Sequence, residues 1–253
     1  MIDAYGYAKV LDYTCKNECS IELIRPIHAM NAPKEIVSIT FFQYPEKNRW
    51  WAFNQMQLAL SPLKKAKGKK FFKLMGTGGG FGFSLKPDLS TYALLMVWED
   101  LDAAKNFSLS ESYLRFNQQC SSNFTYWMHC IQSHGTWYGA KPFTPSNETT
   151  DGPIMVITRA RVKFKKVFRF LNFVPKTSLA IEKAKGLIYT KGIGEWPIIE
   201  QATFSYWNSR EQMENYAYNS DHREVVKKVK DEGWYKEELF ARFIPVNLNE
   251  THE

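Results

Sequence analysis

The chain has 253 residues, 44% of them hydrophobic and 15% aromatic, which is enough for one large or two small globular domains and excludes a disordered chain. Its formal charge of +7 is partly clustered, in "KKAKGKK" (64–70) and "KFKKVFRF" (163–170); without a helix-turn-helix or RNP-like signature this argues against nucleic acid and leaves a solvated surface, an acidic protein or an anionic membrane as readings. There is no apolar run of about 18 residues, no basic-then-apolar leader and no zinc-type spacing among Cys15, Cys19, Cys120 and Cys130, so the expectation is a soluble cytoplasmic protein with reduced thiols, contact with the inner membrane left open.

Residues 1–35 carry no assignable pattern. From there "VSITFFQY" (37–44) reads as a strand, followed by an aromatic helix through Trp50, Phe53 and Asn54. The stretch "KLMGTGGGFGFSLKP" (73–87) has the glycine density of a phosphate loop without its spacing. Counted from Gly76 or from Gly78, the third glycine of G-x-G-x-x-G falls on Phe81 or Phe83, and Lys86 precedes a proline instead of Ser or Thr. Glycine within strand-like sequence marks a bulge or a close approach by backbone or ligand, and both readings stand. An apolar strand then ends at Trp98, a polar turn opens a helix through Asn106 and Phe107, and "HGTWYG" (134–139) is a further strand candidate. "KPFTPSNETTDGP" (141–153) has linker composition.

The second half repeats this order. Ile39-Thr40, Trp50, Phe53 and Asn54 meet Ile157-Thr158, Phe168, Leu171 and Asn172 at an offset of 118. Gly76-Thr77-Gly78 meets Gly192-Ile193-Gly194 at 116, and Trp98, Asn106 and Phe107 meet Trp207, Asn215 and Tyr216 at 109. Collinear matches with a shrinking offset are what loop deletions in a second copy produce. With "ELFARFIPV" (238–246) as the last strand, each half reads strand-helix-strand-strand-helix-strand. The expected fold class is α+β, two ferredoxin-like βαββαβ repeats of the dimeric α+β barrel type, with an extension at 1–35, repeats at 36–140 and 154–247, and a linker at 141–153.

Of five histidines, His28 and His252 lie outside the repeats, and His129 and His134 are too unsuitably spaced to act together on a helix or strand. His222 has Tyr218, Val225, Val226 and Val229 as helical neighbours, an apolar face. A core histidine and an axial haem ligand both fit that setting. In strand 154–163 the alternating set Val156, Thr158 and Ala160 is smaller than Ile157, Arg159 and Arg161; should His222 hold a haem, as the resemblance described next implies, the small set is expected on the cofactor side together with Ala202, Phe204 and Trp207, and in the opposite phase Arg159 would face the iron.

Four blocks in this order, "GTGGGFGFSLKPDLSTYALLMVWED", "ITRARVKFKK", "GIGEWPIIEQATFSYWNSREQMENYAY" and "HREVVKKVKDEGWYKEELFARF", resemble the spheroidene monooxygenase family of carotenoid biosynthesis. The resemblance covers about residues 36–246 and implies haem b held by His222, a long apolar substrate such as an acyclic carotenoid oxidised to a ketone, dioxygen, and electrons from a ferredoxin-type donor. A dehydratase or peroxidase on the same barrel, or a barrel that only binds, is the alternative. Oligomeric state is not legible.

Overall fold

The computed structural model describes residues 11–14, 19–20, 35–80, 86–167, 169, 181, 184–196, 200–219 and 232–246. Two compact units divide the chain, one of residues 1–75, 89–129 and 245–253 and one of 76–88 and 130–244.

In the first unit the strands are β3 (Ile36–Gln43), β4 (Lys69–Gly78, through Met75), β5 (Pro87–Trp98) and the first part of β6 (Ser122–Gly135), with β1 (Leu11–Thr14) and β2 (Cys19–Ser20) added beside β6. The order β4-β5-β3-β6 is that of a ferredoxin-like unit, with the first and third strands central. Buried on both faces, β3 is a near-continuous apolar run without alternation. The helices are α1 (Arg49–Leu58), α2 (Leu60–Lys64), α3 (Leu101–Ser108) and α4 (Glu111–Gln119). Asp100 and Ser110 begin α3 and α4, their side-chain oxygens accepting from the amides of Ala103 and Tyr113. Ala104, Phe107, Tyr113 and Phe116 from these helices pack with Ile36, Phe42, Tyr92, Leu94, Met96 and Trp98.

The second unit contains β7 (Ile154–Val162), β8 (Leu187–Trp196), β9 (Glu200–Trp207), α5 (Arg210–Asn219) and β10 (Tyr235–Pro245, through Ile244). Its order β10-β7-β9-β8 repeats that of the first four strands. The fold class is thus the expected one. The two G-x-G segments lie side by side, Gly76 opposite Gly194 and Thr77 opposite Ile193, so these glycines sit in paired strand and form no phosphate loop. Cys120 and Cys130 are buried, their thiols donating to the carbonyl oxygens of Asn117 and Gln132. Among the described residues no helix is long and apolar enough to cross a membrane.

The expected strand at 134–139 is displaced. β6 runs from Ser122 to Gly135, and residues beyond it turn, with Trp137 and Ala140 bridged and Tyr138 at φ 53°. At Gly135, φ 81°, a Cβ would lie 2.0 Å from the Glu238 carbonyl oxygen, so backbone contact fixes glycine there and ends the strand. His129 and His134 both lie on β6. His129 Nδ1 is 2.8 Å from the Glu35 carbonyl oxygen, and His134 stacks on Phe240.

Candidate cofactor and substrate site

The register of the sheet repeats as faithfully as its order. In the first repeat Ile36, Ser38, Thr40 and Phe42 of β3 stand opposite Trp98, Met96, Leu94 and Tyr92 of β5. Ile154, Val156, Thr158 and Ala160 of β7 stand opposite Trp207, Ser205, Thr203 and Gln201 of β9. The two sets correspond position for position at the offsets of 118 and 109 read from the sequence, and successive alternate residues share one face of the sheet.

One end of that face is the same in both repeats. Ile36 and Trp98, like Ile154 and Trp207, are essentially inaccessible. In the second repeat Val156, Ile154 and Trp207 pack with Met213 and Tyr216 of α5 and with Ile181. Trp207 Nε1 donates to Ser205 Oγ at 2.9 Å, and its ring lies 5.2 Å from that of Tyr216. Burial pushes the Tyr216 phenol up to about 12, so it is a neutral donor at physiological pH.

Beyond that pair the two faces differ. In the first repeat the face is filled: Phe42, fully buried, lies 5.2 Å from Phe116 and 5.7 Å from Tyr113, and Tyr92, Leu94 and Met96 complete the layer. In the second, Ala160 stands in place of Phe42, Gln201 of Tyr92, Thr203 of Leu94 and Ser205 of Met96. Thr40 is buried and bonds Thr125, whereas its counterpart Thr158 is exposed although β7 is hydrogen-bonded on both sides, to β9 and β10. Among the described residues nothing covers Thr158, while Ala160 and Thr203 of the same face are half-buried and Gln201 and Ser205 buried. Phe240, opposite Thr158 on β10, and Gly192, opposite Thr203 on β8, extend the same face.

Thr158, Ala160 and Trp207 of the expected site therefore share this face. Phe204 does not. It is paired with Ile157, which puts it, with Ala202, on the other side of the sheet, and the expectation that it joins the small set is corrected by one residue of register. Arg159 also faces that other side. It is 3% exposed, pairs with Glu237 at 2.7 Å, and lies 5.1 and 4.7 Å from the ring centres of Trp137 and Tyr138. Burial pushes the Glu237 carboxyl up, but hydrogen bonds from Thr136, the Gly139 amide, Arg159 and the Tyr138 amide outweigh it and leave the group at about 2. Arg159 is thus locked into a charged pair, and the phase that would aim it at a cofactor beside Thr158 is not the one seen. His222, Val225 and Val226 lie outside the described residues, as does the side chain of Tyr218. Among the described residues no group of three or more His, Cys, Asp or Glu is placed to hold a metal ion.

The sequence reading missed Gln201, Thr203, Ser205 and Phe240. Aligning the repeats position by position, and not only at their matches, would have exposed the large-to-small replacements.

No family model matches the sequence. The chain is 36% identical to spheroidene monooxygenase of Cereibacter sphaeroides over 218 residues, which is 83% of this chain and 66%, just under two thirds, of that protein's length. It is 30% identical to spheroidene monooxygenase of Rhodobacter capsulatus over 82% of this chain and 89% of that protein. The chain belongs to the spheroidene monooxygenase family. Its fold is also that of an aldoxime dehydratase solved in complex with butyraldoxime, with a TM-score of 0.56 at 11% identity over 87% of this chain and 82% of that one. The long stretches with which the sequence resembles the spheroidene monooxygenase family include "ITRARVKFKK" and "ATFSYW", which contribute the emptied face of β7 and β9.

Proposed function

We propose that the chain is a haem-dependent monooxygenase that oxidises an acyclic carotenoid, or a similarly long apolar molecule, to a ketone with dioxygen and electrons from a ferredoxin-type donor. The observation that supports this reading best is the face emptied in the second repeat and filled in the first. The residues present fit a flat apolar group. Ala160 and Thr158 leave room above the sheet, Trp207, Ile154 and Met213 wall one end, and Phe240 offers a ring on the neighbouring strand. His222, outside the described residues, is the residue proposed to hold the iron, through one imidazole nitrogen.

Bound haem would supply the activation of dioxygen. The protein's part is to hold the group, exclude water and orient one end of the substrate. Two hydroxylations at one carbon give a geminal diol, whose loss of water leaves the ketone, so the chain need not provide an acid-base dyad. Thr158 and Thr203, paired across β7 and β9, with Gln201, Ser205 and the neutral Tyr216, are its polar groups on or beside that face among the described residues.

The test is the visible spectrum of the purified protein after addition of haemin, followed by turnover. A Soret band in the wild type that His222→Ala loses, together with ketocarotenoid formed in cells that make an acyclic carotenoid, is the expected result. Absence of a Soret band in the wild type, or an unchanged band in His222→Ala, would overturn the cofactor or the ligand assignment respectively. A Soret band without any ketocarotenoid would move the reading to another haem reaction on this fold.

A further inference from the structure

The first unit carries a surface that the packing of its own core does not explain. α1 is amphipathic in the inverted sense. Its buried positions are Ala52 and Gln55, whereas Trp50, Phe53 and Leu58 are 72%, 51% and 66% exposed. The rings of Trp50 and Phe53 stack on each other at 5.6 Å, interplanar angle 23°, so they form one apolar platform outside the core. A groove of about 190 Å³ between α1, α2 and α4 adjoins Leu58, and its lining is mixed, Trp51, Leu63 and Phe116 standing beside Gln55, Glu111 and Arg115.

The segment that forms these helices is basic. Residues 46–70 contain seven Lys and Arg against the single Glu46; Lys70 is paired with Glu35, and Glu99 lies beside Gly68. Lys47, Arg49, Lys64, Lys65 and Lys67 are all exposed. Cations alone would suit an acidic protein as well as an anionic lipid surface. Protruding Trp, Phe and Leu side chains within a basic surround are what the boundary between headgroups and acyl chains accepts, the apolar groups sinking about 5–10 Å while the lysines stay with the phosphates.

From this we infer that the outer face of α1 and α2 docks on an anionic bilayer, by shallow insertion of Trp50, Phe53 and Leu58 held by the lysines that follow. The inference deepens the proposed function and rests on it for its purpose, since a long apolar substrate is dissolved in lipid and must be collected there. The docking itself is a property of this surface alone.

The experiment is co-sedimentation of the full chain with vesicles of phosphatidylglycerol and phosphatidylcholine in equal parts, against phosphatidylcholine alone. The wild type is expected to bind the anionic vesicles, and a variant with Trp50→Ser, Phe53→Ser and Leu58→Ser to bind them at least about tenfold less. These positions are exposed, so that variant should keep its circular dichroism spectrum. Acyl chains brominated near the headgroup should quench the wild-type fluorescence, and this quenching should be much smaller in Trp50→Phe. Lys64→Gln, Lys65→Gln and Lys67→Gln together should remove the preference for anionic lipid. Failure of the wild type to bind anionic vesicles, or equal binding by the serine variant, overturns the inference. So does binding only to an acidic soluble ferredoxin with the same lysine dependence, which would make the surface a protein-docking site. The Soret band is read in parallel: its absence with vesicle binding intact defeats the haem reading and leaves the docking surface standing, and the reverse outcome does the opposite.

Discussion

Ala160 and Phe42 occupy equivalent places in two copies of one structural unit, and the difference between them is the closest thing to an internal control that the chain provides. Phe42 completes an aromatic layer with Phe116 and Tyr113, so Phe42→Ala should cost about 3–5 kcal/mol, read as a lower denaturant midpoint, and should not confer haem binding on the first repeat. Ala160→Phe should do the converse. The phenyl group enters a half-exposed position on a face that the described residues do not fill, so the protein should stay folded with a stability change below about 1–3 kcal/mol, the usual range for overpacking a filled core. Haem retention, read at the Soret band, should fall by about tenfold or more, equivalent to about 1.4 kcal/mol of lost binding. Undiminished haem in Ala160→Phe would show that the emptied face is not where the group sits.

At the scale of elements, the strand order was legible because each half has the same strand and helix sequence and only a few topologies accommodate it. The small set of β7 follows from alternation within a strand. Phe204 and Trp207, three residues apart on β9, stand on opposite faces by the same alternation, so the expected site could hold only one of them; which one stands beside the small set is decided by the pairing register to β7, which the sequence leaves unspecified. The end of β6 was illegible for a different reason. "HGTWYG" has the aromatic content of a strand, but Glu237 and Glu238, about a hundred residues later, turn it: Glu237 accepts from Thr136 Oγ1 and the Gly139 amide, and the Glu238 carbonyl accepts from the Thr136 amide. Gly135 is the hinge of that turn. Gly135→Ala combines a positive φ with a Cβ driven into a backbone oxygen, so it should cost more than the roughly 1 kcal/mol of an ordinary glycine replacement. Equilibrium unfolding in urea checks this, and a midpoint equal to that of the wild type would mean that the turn rearranges freely.

For the molecule as a whole, stability should depend on pH through a small number of buried groups with opposite signs. Tyr216 and Tyr235 are each pushed up to about 12, the first by burial and the second by burial and by Glu238. A group whose folded value is raised keeps its contribution below its ordinary value of 10.0 and loses it as pH climbs from 10 toward 12. Glu237 sets the acid side. Its folded value of about 2 lies below the ordinary 4.5, so its contribution is complete above pH 4.5 and is lost as pH falls from 4.5 toward 2, when protonation breaks the pair with Arg159 and leaves a buried guanidinium without its counter-charge. A stability plateau is therefore expected between about pH 5 and 10, narrowed at the acid end by mutual repulsion in a chain that already carries +7 at neutrality. Glu237→Gln separates the specific contribution from the general one. The variant should be less stable than the wild type at pH 7, by on the order of 1–3 kcal/mol, and the difference should shrink steadily below pH 4.5 until the two unfold alike near pH 2. Guanidinium unfolding of the haem-free proteins at several pH values measures it. A difference that stayed constant with pH would show that Glu237 acts through its shape and hydrogen bonds alone, with no part played by its charge.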